Sequence, residues 1–425
     1  MESALPESLQ RNWKSPFFTI WSGQAVSIVG SNLAQFALIW WLTTSTGSAT
    51  VLAGATLVGM LPQIVLGPIA GTLVDRWNRQ LVMMIADSLI AAFSLVLALL
   101  FAAGGAKVWH VLVIMLLRSM GSAFHWPAMQ ASTSLMVPKD QLSRVAGMNK
   151  TLYGVMNIGA PPMGAFLLEV MPISSILMID VVTAVMAVLP LFWIMVPQPT
   201  RRVAPKGIGS KVPARTTVWQ DFRAGLKYVA SWPGLTILLI LASVLNFLLN
   251  PAFALLPLLV KQHFHGEAMH LGLLDSVYGV GLIVGGIILS TWGGFRKRIV
   301  TSMFGLVGMG LGITLVGFAP ANLFVMAVIG LALDGLMNPI CNGPIDAILQ
   351  ASVEPQMQGR VITLVSSAAG LMSPVSLAVA GPVSDVVGIQ TWFSVAGVLM
   401  VILALVCLLI PPMIHIEDGR GAVST

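Results

Sequence analysis

Long apolar runs recur along the whole chain, and each is long enough to cross a bilayer. Twelve can be read, at about 16–43, 49–73, 80–103, 108–135, 143–169, 172–197, 234–262, 270–292, 298–319, 322–350, 358–384 and 389–413. A membrane-spanning helix needs roughly 20 apolar residues. In lipid, only helices and closed barrels satisfy their own backbone. A barrel would show segments of about ten residues with alternating polarity, and these runs are longer and do not alternate. Composition agrees with an integral membrane protein. The 425 residues are 56% hydrophobic and 9% charged, with a mean hydropathy of +0.89. A soluble domain is about 45–50% apolar and about 25% charged. So little charge cannot cover a water-facing surface, and so apolar a chain is not disordered.

The positions of Lys and Arg set the expected orientation. With the N-terminus inside, the cytoplasmic side receives 18 of them, including Arg76, Arg79, Arg144, Arg201, Arg202, Arg296, Lys297, Arg298 and Arg360. The outer side receives Lys107 and Lys261, while Arg118 and Lys150 fall within spans. This bias predicts an even number of spans with both termini cytoplasmic. The net charge of +6 is therefore a topology signal, and no nucleic-acid partner is expected. Glu2, Glu7, Arg11 and Lys14 precede a long apolar run without a small-residue cleavage site, which reads as the first span and not as a signal peptide. Cys341 and Cys407 lie in apolar runs and give neither a disulfide framework nor a zinc site.

The expected organisation is two six-helix bundles, 1–197 and 233–413, joined by a cytoplasmic linker at 198–232 and followed by a tail at 414–425. The linker is rich in Pro, Gly and basic residues, and its end, TVWQDFRAGLKYVASW, reads as an amphipathic surface helix. A shift of 216 residues carries Arg144-Val145 onto Arg360-Val361 and Gly154 onto Gly370. The loops RWNRQ at 76–80 and FRKRI at 295–299 also correspond. Two related halves with a central site near the midplane are a transporter plan.

The loop after span two reads GTLVDRWNRQ from Gly71, with Asp75, Arg76 and Arg79 spaced behind the glycine. It resembles the signature loop of the major facilitator superfamily. RSMG at 118–121 resembles that superfamily's Arg-x-x-Gly motif. Gly154, Gly159, Pro161, Pro162 and Gly164 resemble the glycine-proline signature of its drug antiporters, with Ala160-Pro161 where Gly-Pro is usual. The segments WSGQAVS, LVDRWNR, LLRSMGSAFHWPA and GRV are similar to those of bacterial macrolide efflux proteins. The resemblance implies an all-α major facilitator fold with twelve transmembrane helices, in a bacterial cell membrane. It implies proton antiport of amphipathic drugs, macrolides first, by alternating access. Export or import of an endogenous solute, such as a siderophore or a lipid-like metabolite, is the alternative. The expected partners are the small-molecule substrate, protons and the bilayer, with the protein acting as a monomer.

Intramembrane charge marks the candidate coupling residues Asp87, Arg118, Asp180 and Asp334, because a charge at the bilayer centre costs at least ~2.5 kcal/mol unless it is paired. Asp334 stands 216 residues after Arg118. The sequence therefore predicts an Arg118–Asp334 pair across a central cavity, serving either coupling or structure. Asp75, Arg76 and Arg79 read as a cytoplasmic latch, Asp75 accepting bonds from Arg residues or a helix N-terminus of the other half. Glu169, Asp275 and Asp385 lie near the outer ends and read as solvated. Polar stripes on spans one, four, seven and ten place Gln24, Ser31, Gln35, Ser122, His125, Asn246, Asn250, Asn338 and Asn342 as cavity candidates, with helix–helix glue as the other reading. Trp40, Trp41, Phe124 and Trp126 are possible pocket aromatics. There is no Walker loop, zinc helix or Gly-x-Ser-x-Gly elbow, so no enzyme activity, metal or cofactor is expected and a proton gradient is the expected energy source.

Overall fold

The computed structural model describes residues 13–198 and 218–418. Its twelve long helices are α1 Lys14–Thr46, α2 Ala49–Val74, α3 Arg79–Ala102, α4 Val108–Met136, α5 Leu142–Val170, α6 Ile173–Trp193, α7 Pro233–Gln262, α8 Ala268–Trp292, α9 Arg298–Phe318, α10 Phe324–Ser352, α11 Pro355–Val387 and α12 Ile389–Leu409. They follow the twelve apolar runs in order, and no strand occurs among the described residues. Eleven of them are long and apolar enough to cross a bilayer. The other, α5, has the length but carries Arg144, Asn149, Lys150 and Thr151 in its first half. Many outward side chains are large and apolar, among them Val65, Ile69, Phe192, Trp193 and Leu409. A water-soluble monomer does not expose that much apolar surface; lipid is its natural solvent.

The helices form two compact units. The first holds most of α1–α6 together with Glu267–Gly272, and the second holds α7, the rest of α8, α9–α12 and Ser48–Ala53, the first turn of α2. The same pairings recur in each unit. In the first, α1 packs on α5 and α6, and α3 on α4 and α6; in the second, α7 packs on α11 and α12, and α9 on α10 and α12. Even the caps repeat. The Arg79 amide at the start of α3 donates to Gln198 Oε1 (3.1 Å), and the Ile299 amide at the start of α9 donates to Glu417 Oε1 (2.9 Å). Each half thus ends by capping its own third helix, whose first amides have no intrahelical partner.

Small residues set the helix separations. In the second unit a Cβ on Gly312 of α9 would sit 2.5 Å from the Gly330 carbonyl oxygen of α10, and Gly305 and Gly308 face Cys341 and Met337 as closely. In the first unit, Gly23 of α1 lies against Met186 and Ala187 of α6, and Gly30 against Asp180 and Thr183. Prolines interrupt α2, α4, α5, α6, α7, α10 and α11 without ending them, as neighbouring helices in a membrane allow.

A 13-residue helix, Val218–Ala230, precedes α7 at the place expected for the amphipathic segment. Its Gly225 faces Arg360 of α11 and its Tyr228 and Val229 are buried, while Leu226 and Lys227 are exposed. The linker cations Arg201, Arg202, Lys206, Lys211 and Arg215, and Arg420 of the tail, lie outside the described residues.

Candidate functional site

Three helices of the first unit carry polar residues at a spacing of seven: Gln24 and Ser31 on α1, Asp87 and Ser94 on α3, His125 and Arg118 on α4. Seven residues are about two helical turns, or ~10.5 Å of rise. Because α4 runs opposite to α3, the residues assemble into two polar layers, one above the other.

The first layer is a closed ring. Gln24 Nε2 donates to Asp87 Oδ2 at 2.9 Å. His125 Nε2 lies 2.9 Å from Gln24 Oε1 and 3.2 Å from Asp87 Oδ1. Gln24 and Asp87 are buried, and the His125 side chain keeps 14% exposure. The second layer is an ion pair in a hydroxyl cage. Arg118 Nη2 meets Asp180 Oδ2 of α6 at 2.8 Å. Ser31 donates to Asp180 Oδ1 (2.8 Å) and Ser94 to Oδ2 (2.7 Å). Between the layers stands Gly121, whose Cβ would fall 2.9 Å from Ile90 of α3. The Arg-x-x-Gly motif thus has a packing role: its glycine lets α4 close on α3 and brings His125 to Asp87. Ser122 bonds only the Arg118 carbonyl of its own helix.

The expected Arg118–Asp334 pair is therefore corrected. Arg118 pairs with Asp180, which lies on a helix of its own unit and is sealed from solvent. A local acid beside two serines offsets the arginine's desolvation more completely than any partner fixed by pseudo-symmetry alone. Asp334 is fully buried, and neither of its carboxyl oxygens has a hydrogen-bond partner among the described residues. The repeat explains the difference. At a shift of 216, Ser31, Ser94 and Asp180 fall on Phe247, Gly310 and Ala396, so the second unit offers that position no polar cage. On α9, Gly312 faces Asp334 with bare backbone.

Residues 12–418 match the family model described as transmembrane secretion effector. The chain belongs to that family of major facilitator transporters. It is 34% identical over 405 residues to macrolide efflux protein A of Streptococcus pyogenes, covering 95% of this chain and 97% of that one. It is 32% identical to macrolide efflux protein A of Enterococcus faecalis, over 78% and 100% of the two chains, and 24% identical to the multidrug efflux pump Tap of Mycolicibacterium fortuitum, over 95% and 98%. Among solved structures its fold resembles a POT family peptide-complexed transporter (TM-score 0.67, 12% identity, 95% and 96% covered) and the nucleoside transporter NupG (0.61, 14%, 90% and 97%). The protein is a multi-pass membrane transporter of small molecules, not an enzyme.

The transporter's signature loop is built around a buried cation. Arg79 opens α3, is 7% exposed, and donates through Nη1 to the Ala131 carbonyl of α4 at 2.8 Å. Its Nη2 lies 3.4 Å from Asp75, whose side chain is 73% exposed. Arg76 is exposed, Gly71 has open space where a Cβ would stand, and Asn78 caps α3 by accepting from the Leu81 amide. In α5, Gly164 abuts the Phe36 ring, Pro161 and Pro162 lie against Gly272, and Gly154 and Gly159 face open space. Asn246, Asn250 and Asn342 each donate to the carbonyl four residues back, and Asn338 reaches the Tyr278 hydroxyl at 3.4 Å. Gln35 and Asn342 are exposed. Of the aromatics, Trp41 packs on Phe101, Phe124 on Trp77 and Trp126 on Tyr153, while Trp40 is buried.

Sequence reasoning missed two groups. Ser94 had a signal, since it stands seven residues after Asp87 on one face of α3. Asp385 had none. Read as a solvated acid, it is exposed but caps the first turn of α2: it accepts from the Ala49 and Thr50 amides (2.7 and 3.0 Å) and from the Ser48 and Thr50 hydroxyls (3.0 and 2.6 Å).

Proposed function

We propose that this transporter exports amphipathic drugs, macrolides first among them, by proton antiport and alternating access, from a bacterial cell membrane with both termini cytoplasmic. The observation that carries the drug reading is likeness along 95% of the chain to a protein named for macrolide efflux. Support for proton coupling comes from Asp334. A buried acid without donors inside a membrane helix marks a proton pathway by default, and Asp334 is such an acid, able to exchange a proton only when water reaches the carboxyl. Drug and proton affinities are then linked reciprocally: drug binding favours proton release, and proton uptake from outside favours drug release. Asp75, Arg76 and Arg79 act as the cytoplasmic gate, Arg79 anchoring the loop to α4 and exposed Asp75 free to exchange partners.

The test is accumulation of labelled erythromycin in a pump-deficient bacterial host, with and without a protonophore. Wild type lowers accumulation, and the protonophore abolishes the effect. Asp75→Asn reaches the membrane and does not transport. Equal accumulation in all cells, with the protein confirmed in the membrane, discards macrolides and moves the search to endogenous solutes. Export that ignores the protonophore discards proton coupling.

A further inference from the structure

The buried acids of the first unit are not equivalent. Asp180 faces a guanidinium and two hydroxyls, and both of its carboxyl oxygens are occupied by these donors. Asp87 faces an amide and an imidazole, and the imidazole is the one group among these whose ordinary titration spans physiological pH.

Hydrogen bonding settles the ring's tautomer. The neighbours of His125 Nε2 are Asp87 Oδ1 and Gln24 Oε1. The Gln24 amide nitrogen is already directed at Asp87 Oδ2, so its oxygen is left to accept. Both partners of Nε2 are therefore acceptors, and Nε2 carries the hydrogen. Nδ1 keeps its lone pair. It has no hydrogen-bond partner among the described residues and is not one of the sealed, unpartnered atoms. A purely structural histidine at this depth would use both nitrogens.

We propose that His125 is a second proton-accepting site of this transporter, with Asp87 and Gln24 as positioning residues that present Nδ1 to the incoming proton. The step is one proton transfer. The Nδ1 lone pair forms a new N–H bond, an O–H bond of the donor water or hydronium breaks, and the reverse transfer returns the proton to water. Uptake adds one unit of positive charge to the Asp87–His125 cluster. The unprotonated cluster favours a cationic amphiphile nearby, and the protonated cluster does not, which is the sign that antiport needs. The role in transport rests on the proton-coupled reading above; protonation of the ring does not.

The other charges around His125 are fixed. On α4, Arg118 lies two turns away and is held by Asp180 of α6. Helix α3 contributes Asp87 and, at its start, Arg79, which donates to the Ala131 carbonyl of α4. Helix α1 has no ionisable side chain beyond Lys14, and α2 has none within Ala49–Val74. Helix α5 carries Arg144, Lys150, Tyr153 and Glu169, of which the Tyr153 ring packs on Trp126 of α4.

The experiment reads the ring directly. Full-length protein labelled with 15N-histidine is placed in lipid nanodiscs and titrated, the His125 signal being assigned by its loss in His125→Gln. Glutamine can still donate to Asp87 but cannot titrate. The expected result is conversion of neutral ring to imidazolium between about pH 5 and 8, with the midpoint displaced by at least one unit in Asp87→Asn. A ring that keeps one protonation state across that range, or that ignores Asp87→Asn, overturns the proposal, and Asp87→Asn serves as the folded control if His125→Gln fails to fold. In vesicles with erythromycin as probe, His125→Gln should lose at least tenfold of pH-gradient-driven accumulation, after subtraction of protein-free vesicles. If wild type shows no gradient dependence, the antiport reading fails while the titration still decides the site. If wild type and His125→Gln respond alike to the gradient, the role of His125 in transport fails alone.

Discussion

Asp180→Asn tests whether the Arg118–Asp180 pair holds the first unit together. The substitution keeps the shape and removes the charge. Arg118 is then left 8% exposed, with Nη1 already unpartnered and only an amide opposite Nη2. Breaking a buried pair by removing one partner costs about 3–5 kcal/mol. Ser31 and Ser94 lose a charged acceptor as well, though an amide oxygen can still take one of them. For a unit of this size each kcal/mol shifts the midpoint by about 2–4 °C, so the expected fall is about 6–20 °C. Thermal unfolding in detergent, followed by tryptophan fluorescence, reads it. Removing both charges in Arg118→Met with Asp180→Leu should recover most of the loss, because apolar residues of similar volume replace a buried pair at little cost. Asp334→Ala should not reproduce it. A neutral Asp180→Asn, or a double variant no more stable than the single one, would refute the argument.

Three further outcomes follow from the same geometry. Asp334→Asn, a neutral mimic of the protonated acid, should leave the unfolding midpoint nearly unchanged and permit erythromycin exchange across vesicles while abolishing gradient-driven accumulation. Gly312→Ala should cost about 1–3 kcal/mol by overpacking, since its Cβ would meet the Gly330 oxygen at 2.5 Å and the Asp334 amide at 2.8 Å; Gly154→Ala, facing open space, should leave the midpoint unchanged. Asp385→Ala removes an acceptor for two amides and two hydroxyls at the start of α2; a lost N-cap costs about 0.5–2 kcal/mol, and faster hydrogen exchange at Ala49 and Thr50 should show it.

Much of the fold was legible because lipid leaves a chain few choices. Apolar runs of helix length, cations confined to alternate loops and a six-helix repeat all follow from local composition. The candidate residues were legible in type: Arg118 had to be buried and paired, and it is. Its partner was not legible. Pseudo-symmetry pointed to Asp334, but the repeat conserves the helix scaffold and not the side chains, so Ala396 stands where Asp180 would recur. The choice between acids depends on which helix α4 touches, and that depends on Gly23, Gly30 and Gly121 setting separations to within a methyl group. No periodicity reports such distances. The asparagines show the converse: their spacing of four predicted a stripe, and that spacing lets Asn250 and Asn342 bond back to the preceding turn.

The two polar layers of the first unit do different physical work. An ion pair inside a hydroxyl cage is held by opposite charges and short contacts on both carboxyl oxygens, so Arg118 and Asp180 tie α4 to α6. Ser31 and Ser94 extend that tie to α1 and α3 through the same carboxylate. All four helices are thereby fixed two turns from His125. A titrating group couples to transport only if its protonation changes something besides its own immediate packing. In the proposed mechanism, anchoring α1, α3 and α4 at the deeper layer keeps the Gln24–Asp87–His125 ring from relaxing by helix movement when the proton arrives. The added charge must then be expressed as a change in electrostatic potential at the ring, where a cationic substrate can feel it. On this reasoning Asp180→Asn should weaken the dependence of erythromycin binding on pH even in protein that remains folded, while Ser122→Ala, whose hydroxyl bonds only its own helix, should leave it intact. Equal pH dependence in Asp180→Asn and wild type would show that the layers act independently.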